Sequence, residues 1–86
     1  MSTELVHKHI ILRIEANKPP EENELKEWMI ELVDKIGMKI LAGPISANID
    51  YMPGNNGPTC VVIIETSHFA CHVWNDTDPA LIQLDV

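Results

Sequence analysis

One stretch of this chain has helical periodicity, and it limits the folds that are open to the rest. Between Pro20 and Gly37, apolar residues recur at helical spacing while charged residues fill the opposite face. The apolar residues are Leu25, Trp28, Met29, Leu32, Val33 and Ile36. Prolines and acidic residues precede the stretch, as at a helix N-terminus, and Gly37 suits the C′ position. The sequence therefore predicts a single amphipathic helix.

The other segments have the composition of β-strands separated by turns. The predicted strands are residues 5–15, 38–51, 60–65, 68–74 and 80–86. Gly43 and Pro44 interrupt the second of these, which indicates a bulge or an edge position. The apolar run 60–65 is typical of a central strand. With the order β-α-β-β-β, we expect an α+β fold: a two-layer sandwich of one helix on a mostly antiparallel sheet, forming a single domain over residues 1–86.

Charge and length exclude several classes of function. The net charge of -7 argues against nucleic acid or an anionic membrane as a partner, since both require a basic surface. No apolar run approaches the roughly 20 residues of a membrane span, and the N-terminus lacks the features of a signal peptide. We expect a cytoplasmic protein with reduced Cys60 and Cys71. Because 86 residues bury only a modest fraction of their surface, we also expect a homodimer or another homo-oligomer.

Residues 63–74, IIETSHFACHVW, combine a hydroxyl, two imidazoles and a thiol. Strand alternation places His68 and His72 on one face, roughly 13 Å apart at about 3.3 Å per residue, which is too far to share one metal ion. A Ser-His-Asp triad lacks the G-x-S-x-G elbow that would support it. From the residues alone, Ser67 is interpreted as a turn residue of a hairpin and the histidines as ordinary polar groups.

A metal site has one other candidate in the sequence. His7 and His9 are close enough on one strand face to share an ion, but no cysteine or carboxylate joins them by motif. We therefore expect no metal, and interpret the pair as part of a half-exposed strand face.

The sequence of residues 61–74, VVIIETSHFACHVW, resembles the processing-site strands of the prokaryotic S-adenosylmethionine decarboxylases. The pattern of that family is a run of valines and isoleucines, then Glu-Ser-His, a short apolar stretch and His-x-Trp. The similarity extends to HIILRI, LVDKIGMKIL and ALIQLDV, and thus more loosely over essentially the whole chain. The chain resembles a short, divergent or truncated member of this pyruvoyl-dependent family.

The resemblance implies a proenzyme that cleaves itself and then acts as a carboxy-lyase in polyamine and spermidine synthesis. Ser67 would attack the carbonyl of Thr66, and elimination from the resulting ester would cleave the chain and leave a pyruvoyl group derived from Ser67. That group binds the amine of S-adenosylmethionine, or of a related amino acid, and takes up the electrons released by decarboxylation. His72 falls on the position of a histidine that assists processing, and Thr59 on that of a hydroxyl residue that also acts there.

The resemblance further implies that the residues around the serine contact the substrate. These are Glu65, His68 and Phe69. The sequence departs from the family pattern in having Thr66 before the serine, where Glu is usual, and Arg13 where an acidic residue is common. The family's catalytic cysteine would fall one residue beyond Val86. Two hypotheses follow: a pyruvoyl-dependent decarboxylase, or a non-catalytic relative that serves as a binding or regulatory subunit. For so short a chain, we expect either that another subunit completes the burial or that the gene product is truncated.

Overall fold

The computed structural model describes residues 10–65 and 67–86. These residues form one helix, α1 (Glu22–Lys35), and the five strands β1 (Ile11–Ala16), β2 (Ile40–Ile49), β3 (Gly57–Ile64), β4 (His68–Trp74) and β5 (Ala80–Asp85). Each segment predicted as a strand contains one. The order is β-α-β-β-β-β, which agrees with the five segments predicted as strands, whereas the predicted order β-α-β-β-β counts one of those strands too few.

All five strands pair antiparallel in a single sheet with the spatial order β1-β5-β4-β3-β2. β3, β4 and β5 follow one another through short turns, whereas α1 connects the two edge strands, β1 and β2. The helix packs against β2 and β3 on one face of the sheet. The predicted α+β two-layer architecture is confirmed, and β3 and β4 lie inside the sheet rather than at its edges.

α1 begins and ends where the sequence predicts. The backbone N–H of Glu21 donates to the carboxylate of Glu24 at 3.4 Å, which supplies a partner for a group that the helix leaves unpaired. Gly37 has a φ of 76°, the left-handed conformation of a C′ residue. The buried residues of the helix are Leu25, Met29 and Val33. Trp28 and Ile36 belong to the same predicted apolar stripe but stay exposed, because α1 covers only part of the sheet.

The predicted irregularity in β2 is confirmed. The register between β2 and β3 shifts on both sides of Ala42, and β2 is an edge strand. Gly43 has a φ of 93°, and a Cβ atom there would lie 2.9 Å from the carbonyl oxygen of Val61. This close approach of two backbones requires glycine.

Alternation divides the side chains of β3 and β4 between two faces of the sheet. The face toward α1 carries the buried residues Cys60, Val62, Ile64, Phe69, Cys71 and Val73. The opposite face, which we call the open face, carries Thr59, Val61, Ile63, His68, Ala70, His72 and Trp74, all half-buried or exposed. His68 and His72 therefore share a face, as the alternation predicts.

α1 leaves a groove beside β1 and β5 on the helix side of the sheet. Its volume is about 400 Å³, and it is lined by Ile14, Pro20, Glu24, Leu25, Trp28 and Ile82. A second recess of about 300 Å³ lies at the start of the helix, lined by Glu21, Glu22, Asn48, Pro58 and Asn75. Neither cavity is lined by His72 or its neighbours on the open face.

Candidate active site

Ser67 lies at the exposed end of the β3–β4 hairpin, immediately before β4. Its carbonyl oxygen accepts a hydrogen bond from the N–H of Ile64 at 3.0 Å, which closes the hairpin. The hydroxyl-bearing residue is exposed to solvent, as are its neighbours Glu65 and His68. Thr66, the other residue of the predicted cleavage site, lies outside the described residues.

The register of the hairpin brings Thr59 and His72 together. Hydrogen-bonded and non-hydrogen-bonded pairs alternate along antiparallel strands, and Ile64 with Ser67 forms a bonded pair. Thr59 and His72 are directly opposite each other five positions along, and so form a non-hydrogen-bonded pair, where side chains approach most closely. The Oγ1 atom of Thr59 lies 3.1 Å from Nδ1 of His72. This contact orients the imidazole and leaves Nε2 as the nitrogen that can exchange a proton with another group.

The same register extends a polar row across the open face. His72 pairs with Gln83 of β5, and Gln83 pairs with Arg13 of β1. The Trp74 ring packs beside the imidazole of His72, with 6.0 Å between ring centroids and a 38° tilt. Sequence analysis did not select Gln83, although strand alternation in ALIQLDV places it on the face opposite the apolar Ile82 and Leu84. Only the pairing of β5 with β4 shows that Gln83 lies beside His72.

Asp85 is a second residue that sequence analysis did not select. It lies opposite Ala70 of β4 and Ile11 of β1, one position beyond the polar row on the open face. Within the described part of the chain, its Oδ1 atom is buried without a hydrogen-bond partner. A carboxylate between two apolar neighbours carries no motif in one sequence, so only the pairing of three strands reveals it.

The two cysteines face α1 rather than the open face. Cys60 and Cys71 lie directly opposite each other on β3 and β4, both are free thiols, and both are fully buried. Burial, together with the neighbouring Cys60 thiol and the Asp85 carboxylate, raises the pKa of Cys71 to about 12. Burial also raises the pKa of Cys60, with an opposing effect from Lys26. Both thiols therefore stay protonated at neutral pH and face away from His72.

The hairpin motif and its surroundings match a known family. The sequence profile described as S-adenosylmethionine decarboxylase matches residues 9–86, and thus every element from β1 to β5. The chain belongs to the S-adenosylmethionine decarboxylase family. Comparisons with curated proteins and with solved structures give no match. The recognition that rested on the processing-site strands is confirmed over nearly the whole length of this S-adenosylmethionine decarboxylase-like protein.

The fold of this family member separates the predicted catalytic residues into two places. Thr59 and His72 are in contact, whereas Ser67 lies five residues before His72 on an extended segment. At about 3.3 Å per residue, their Cα atoms are about 16 Å apart. In a single copy of the chain, the imidazole of His72 therefore does not reach the hydroxyl of Ser67.

The three predicted substrate-contact residues also lie in different environments. The Glu65 carboxylate accepts a hydrogen bond from the backbone N–H of Lys39 at 3.0 Å, which ties the hairpin end to the start of β2. His68 is exposed on the open face, opposite Ile63. Phe69 is 3% exposed and packs in the core on the helix side, so its ring is closed to a ligand within one copy of the chain.

Two remaining expectations concern metals and membranes. Residues 10–65 and 67–86 contain no group of three His, Cys, Asp or Glu side chains that could hold a metal ion, and His7 and His9 lie outside these ranges. In the described part of the chain, α1 is neither long nor apolar enough to cross a membrane.

Proposed function

We propose that this S-adenosylmethionine decarboxylase-like protein is the proenzyme of a pyruvoyl-dependent decarboxylase in polyamine synthesis. The observation that carries the proposal is the contact of 3.1 Å between Thr59 and His72. The family resemblance assigns both residues to processing, and they are 13 positions apart in the chain, so their meeting at one site supports a shared task. The substrate in this proposal is S-adenosylmethionine or a related amino acid. Free thiols at Cys60 and Cys71 support a cytoplasmic location.

Self-cleavage needs a nucleophile, a proton acceptor and access for water. Ser67 Oγ attacks the carbonyl carbon of Thr66 as its proton passes to an imidazole, and the imidazole returns the proton to the leaving nitrogen, so that an ester and a free amine replace the peptide bond. Loss of the Ser67 α proton then releases Thr66 as a carboxylate, and water displaces the nitrogen as ammonia. The exposed position of Ser67 fits this reaction, because the hydroxyl is free to rotate and water can enter. The pyruvoyl group so formed supplies the electron sink for decarboxylation.

The separation of Ser67 from His72 leads us to propose that processing uses two copies of the chain. If the open faces of two copies pack with their hairpins antiparallel, the end of one hairpin lies over the middle of the other. His72 and Thr59 of one copy then lie beside the exposed hairpin end of the second, and Ser67, which precedes β4 and lies outside the strand, reaches them around that end. Ile45 and Ile63 are exposed apolar residues on the open face, and such packing would bury them. This arrangement is the homodimer expected for a domain of this size.

Glu65 and His68 complete the proposed site. Both are exposed beside Ser67 at the hairpin end, where they are placed to contact the substrate. The bond of Glu65 to the Lys39 N–H leaves its second carboxylate oxygen to accept a hydrogen bond from a ligand. Phe69 acts from the core, by holding the first residues of β4 against α1.

The intact mass of the purified protein under denaturing conditions tests self-cleavage. We expect fragments 1–66 and 67–86, with the second lighter by one ammonia than the product of simple hydrolysis. The Ser67→Ala variant is the control and should remain whole. A wild-type chain that stays uncut after long incubation would overturn the proposal.

Two inactive variants test whether His72 acts on a second copy. Ser67→Ala keeps His72, and His72→Ala keeps Ser67, so neither chain is cleaved alone. When the two are co-expressed, the His72→Ala chain should be cut in mixed dimers, using the imidazole of the other chain. If the mixture stays as uncut as the separate variants while wild-type protein is processed, His72 acts within its own chain.

A non-catalytic binding or regulatory subunit is the second candidate. It is favoured by the position of Cys60 and Cys71, since both thiols face α1 with raised pKa values and neither offers a proton donor to the open face. In that case the uncut wild-type chain should still bind S-adenosylmethionine in equilibrium dialysis, and His68→Ala should weaken that binding. Cleavage at Ser67 with turnover of substrate would rule this role out.

A further inference from the structure

Within residues 10–65 and 67–86, no strand pairs with the outer edge of β1. The N–H of Ile10 donates to the carbonyl of Val86 at 3.1 Å, and the N–H of Val86 donates back at 2.9 Å, so this is a hydrogen-bonded pair. By alternation, every second residue from Ile10 bonds to β5, and the residues between them direct their N–H and C=O groups away from the sheet. These are Ile11, Arg13 and Glu15.

The two edges of the sheet are protected to different degrees. β2 carries Pro44 and two register shifts, which are features that block the addition of another strand. β1 has no proline or register shift, and its side chains Leu12 and Ile14 are 47% and 41% exposed on the helix side. An edge strand with free backbone groups and exposed apolar side chains is a template for pairing.

We propose that β1 pairs antiparallel with β1 of a second copy, across a two-fold axis at Ile14. In such pairing, the hydrogen-bonded pairs between the copies form from residues whose backbone groups point away from β5. These residues alternate along the strand, so the two-fold axis passes through a residue of β1 and not between two residues. A centre at Arg13 would oppose two arginines, and a centre at Glu15 would oppose two glutamates. A centre at Ile14 sets Arg13 of each copy against Glu15 of the other, so two pairs of opposite charges select this register.

The helix side of the sheet supports the same register. Ile14 of the two copies would meet on the axis, and Leu12 would face Ala16 of the second copy. Because Ile14 lines the groove beside Trp28, the grooves of the two copies would meet at the axis and cover each other's apolar walls. This interface uses the sheet edge and leaves the open face free, so it is independent of the dimer proposed for processing. If the two-fold axes of the two interfaces are perpendicular and intersect, the assembly closes as a tetramer.

Charge reversal tests the pairing by sedimentation equilibrium. Arg13→Glu and Glu15→Arg each place like charges opposite at two points, and each should weaken the association by about tenfold. The double variant Arg13→Glu/Glu15→Arg exchanges the charges and should return the association constant to within about threefold of the wild type. Lys39→Glu, beside β2, makes the same change in net charge as Arg13→Glu and is the matched control for that variant. Single variants that associate like this control, or a double variant no stronger than the singles, would overturn the proposal.

Cysteine cross-linking tests the register itself. Ile14→Cys would place two thiols opposite each other on the axis at a non-hydrogen-bonded position, about 4.5 Å apart between Cα atoms, within the range for a disulfide. With oxidised glutathione as oxidant, this variant should form a covalent dimer on a non-reducing gel. Leu12→Cys lies on the same strand face with similar exposure, and should form at least tenfold less. Equal cross-linking of the two variants, or none by Ile14→Cys, would contradict the register.

Both measurements are made on Ser67→Ala protein as well, which stays uncut. Failure of self-cleavage therefore leaves the edge-pairing readouts intact, and failure of edge pairing leaves the mass test of cleavage intact. Native Cys60 and Cys71 are fully buried and do not compete in the cross-linking. Thermal unfolding midpoints near that of the wild type confirm that each variant is folded before its association is compared.

Discussion

The two faces of the β3–β4 hairpin differ in burial and in the side chains they carry. The face toward α1 is closed and apolar, with Cys60, Cys71 and Phe69 packed in the core. The open face carries Thr59 and His72 in contact, within a row of polar side chains. Because successive residues of a strand point to opposite faces, the core and the proposed processing site use the same two strands without sharing side chains. Substitutions on the face toward α1 should therefore change the free energy of unfolding, and substitutions on the open face should change the rate of self-cleavage.

The largest expected difference is between two neighbouring isoleucines. Ile64 is 4% exposed toward α1, whereas Ile63 is 46% exposed on the open face. Ile64→Ala should lower the free energy of unfolding by about 3 kcal/mol, through lost burial and the cavity left behind. Ile63→Ala should lower that of the isolated chain by less than about 1 kcal/mol. Urea unfolding of both variants at low protein concentration measures the difference. Equal losses of unfolding free energy would show that the two faces contribute equally to stability.

On the open face, the expected effect is on chemistry. Thr59→Val keeps the shape of the side chain but removes the hydroxyl that contacts His72 at 3.1 Å. Self-cleavage should slow by on the order of 100-fold, while unfolding changes by less than about 1 kcal/mol. Thr59→Ser retains the hydroxyl and should retain most of the rate. A time course of intact mass measures the rate of self-cleavage for all three proteins. If Thr59→Val is cleaved at the wild-type rate, the Thr59 hydroxyl has no part in processing.

The effect that is smallest near neutral pH concerns the buried thiols, because they lose their protons only in alkaline solution. The pKa of Cys71 rises from 9.0 to about 12 on folding, so the folded state holds its proton more tightly than the unfolded state. The resulting stabilisation is fully present below pH 9 and is lost as pH rises toward 12, with a slope of at most about 1.4 kcal/mol per pH unit. Cys71→Ala lacks this group and should lose stability less steeply above pH 9. Parallel pH profiles for the two proteins would contradict the raised pKa.

The sequence predicted local features wherever the signal lies in neighbouring residues. The acidic start of α1 and Gly37 fixed the helix, and the bulge in β2 followed from Gly43-Pro44. The family was recognised from residues around Ser67, since the motif that carries the resemblance is a continuous stretch of chain. Gln83 and Asp85 were not selected, because their importance depends on strands that are distant in sequence.

By itself, the sequence determined that one helix packs on strands and that Ser67 ends a hairpin in a member of the S-adenosylmethionine decarboxylase family. The tertiary structure decided that Thr59 meets His72, that both lie about 16 Å from Ser67, and that β1 lies at an edge of the described sheet. The reason is physical. Periodicity and turn residues act over a few positions, whereas register and strand order are fixed by packing among segments far apart in the chain, and these set which side chains touch.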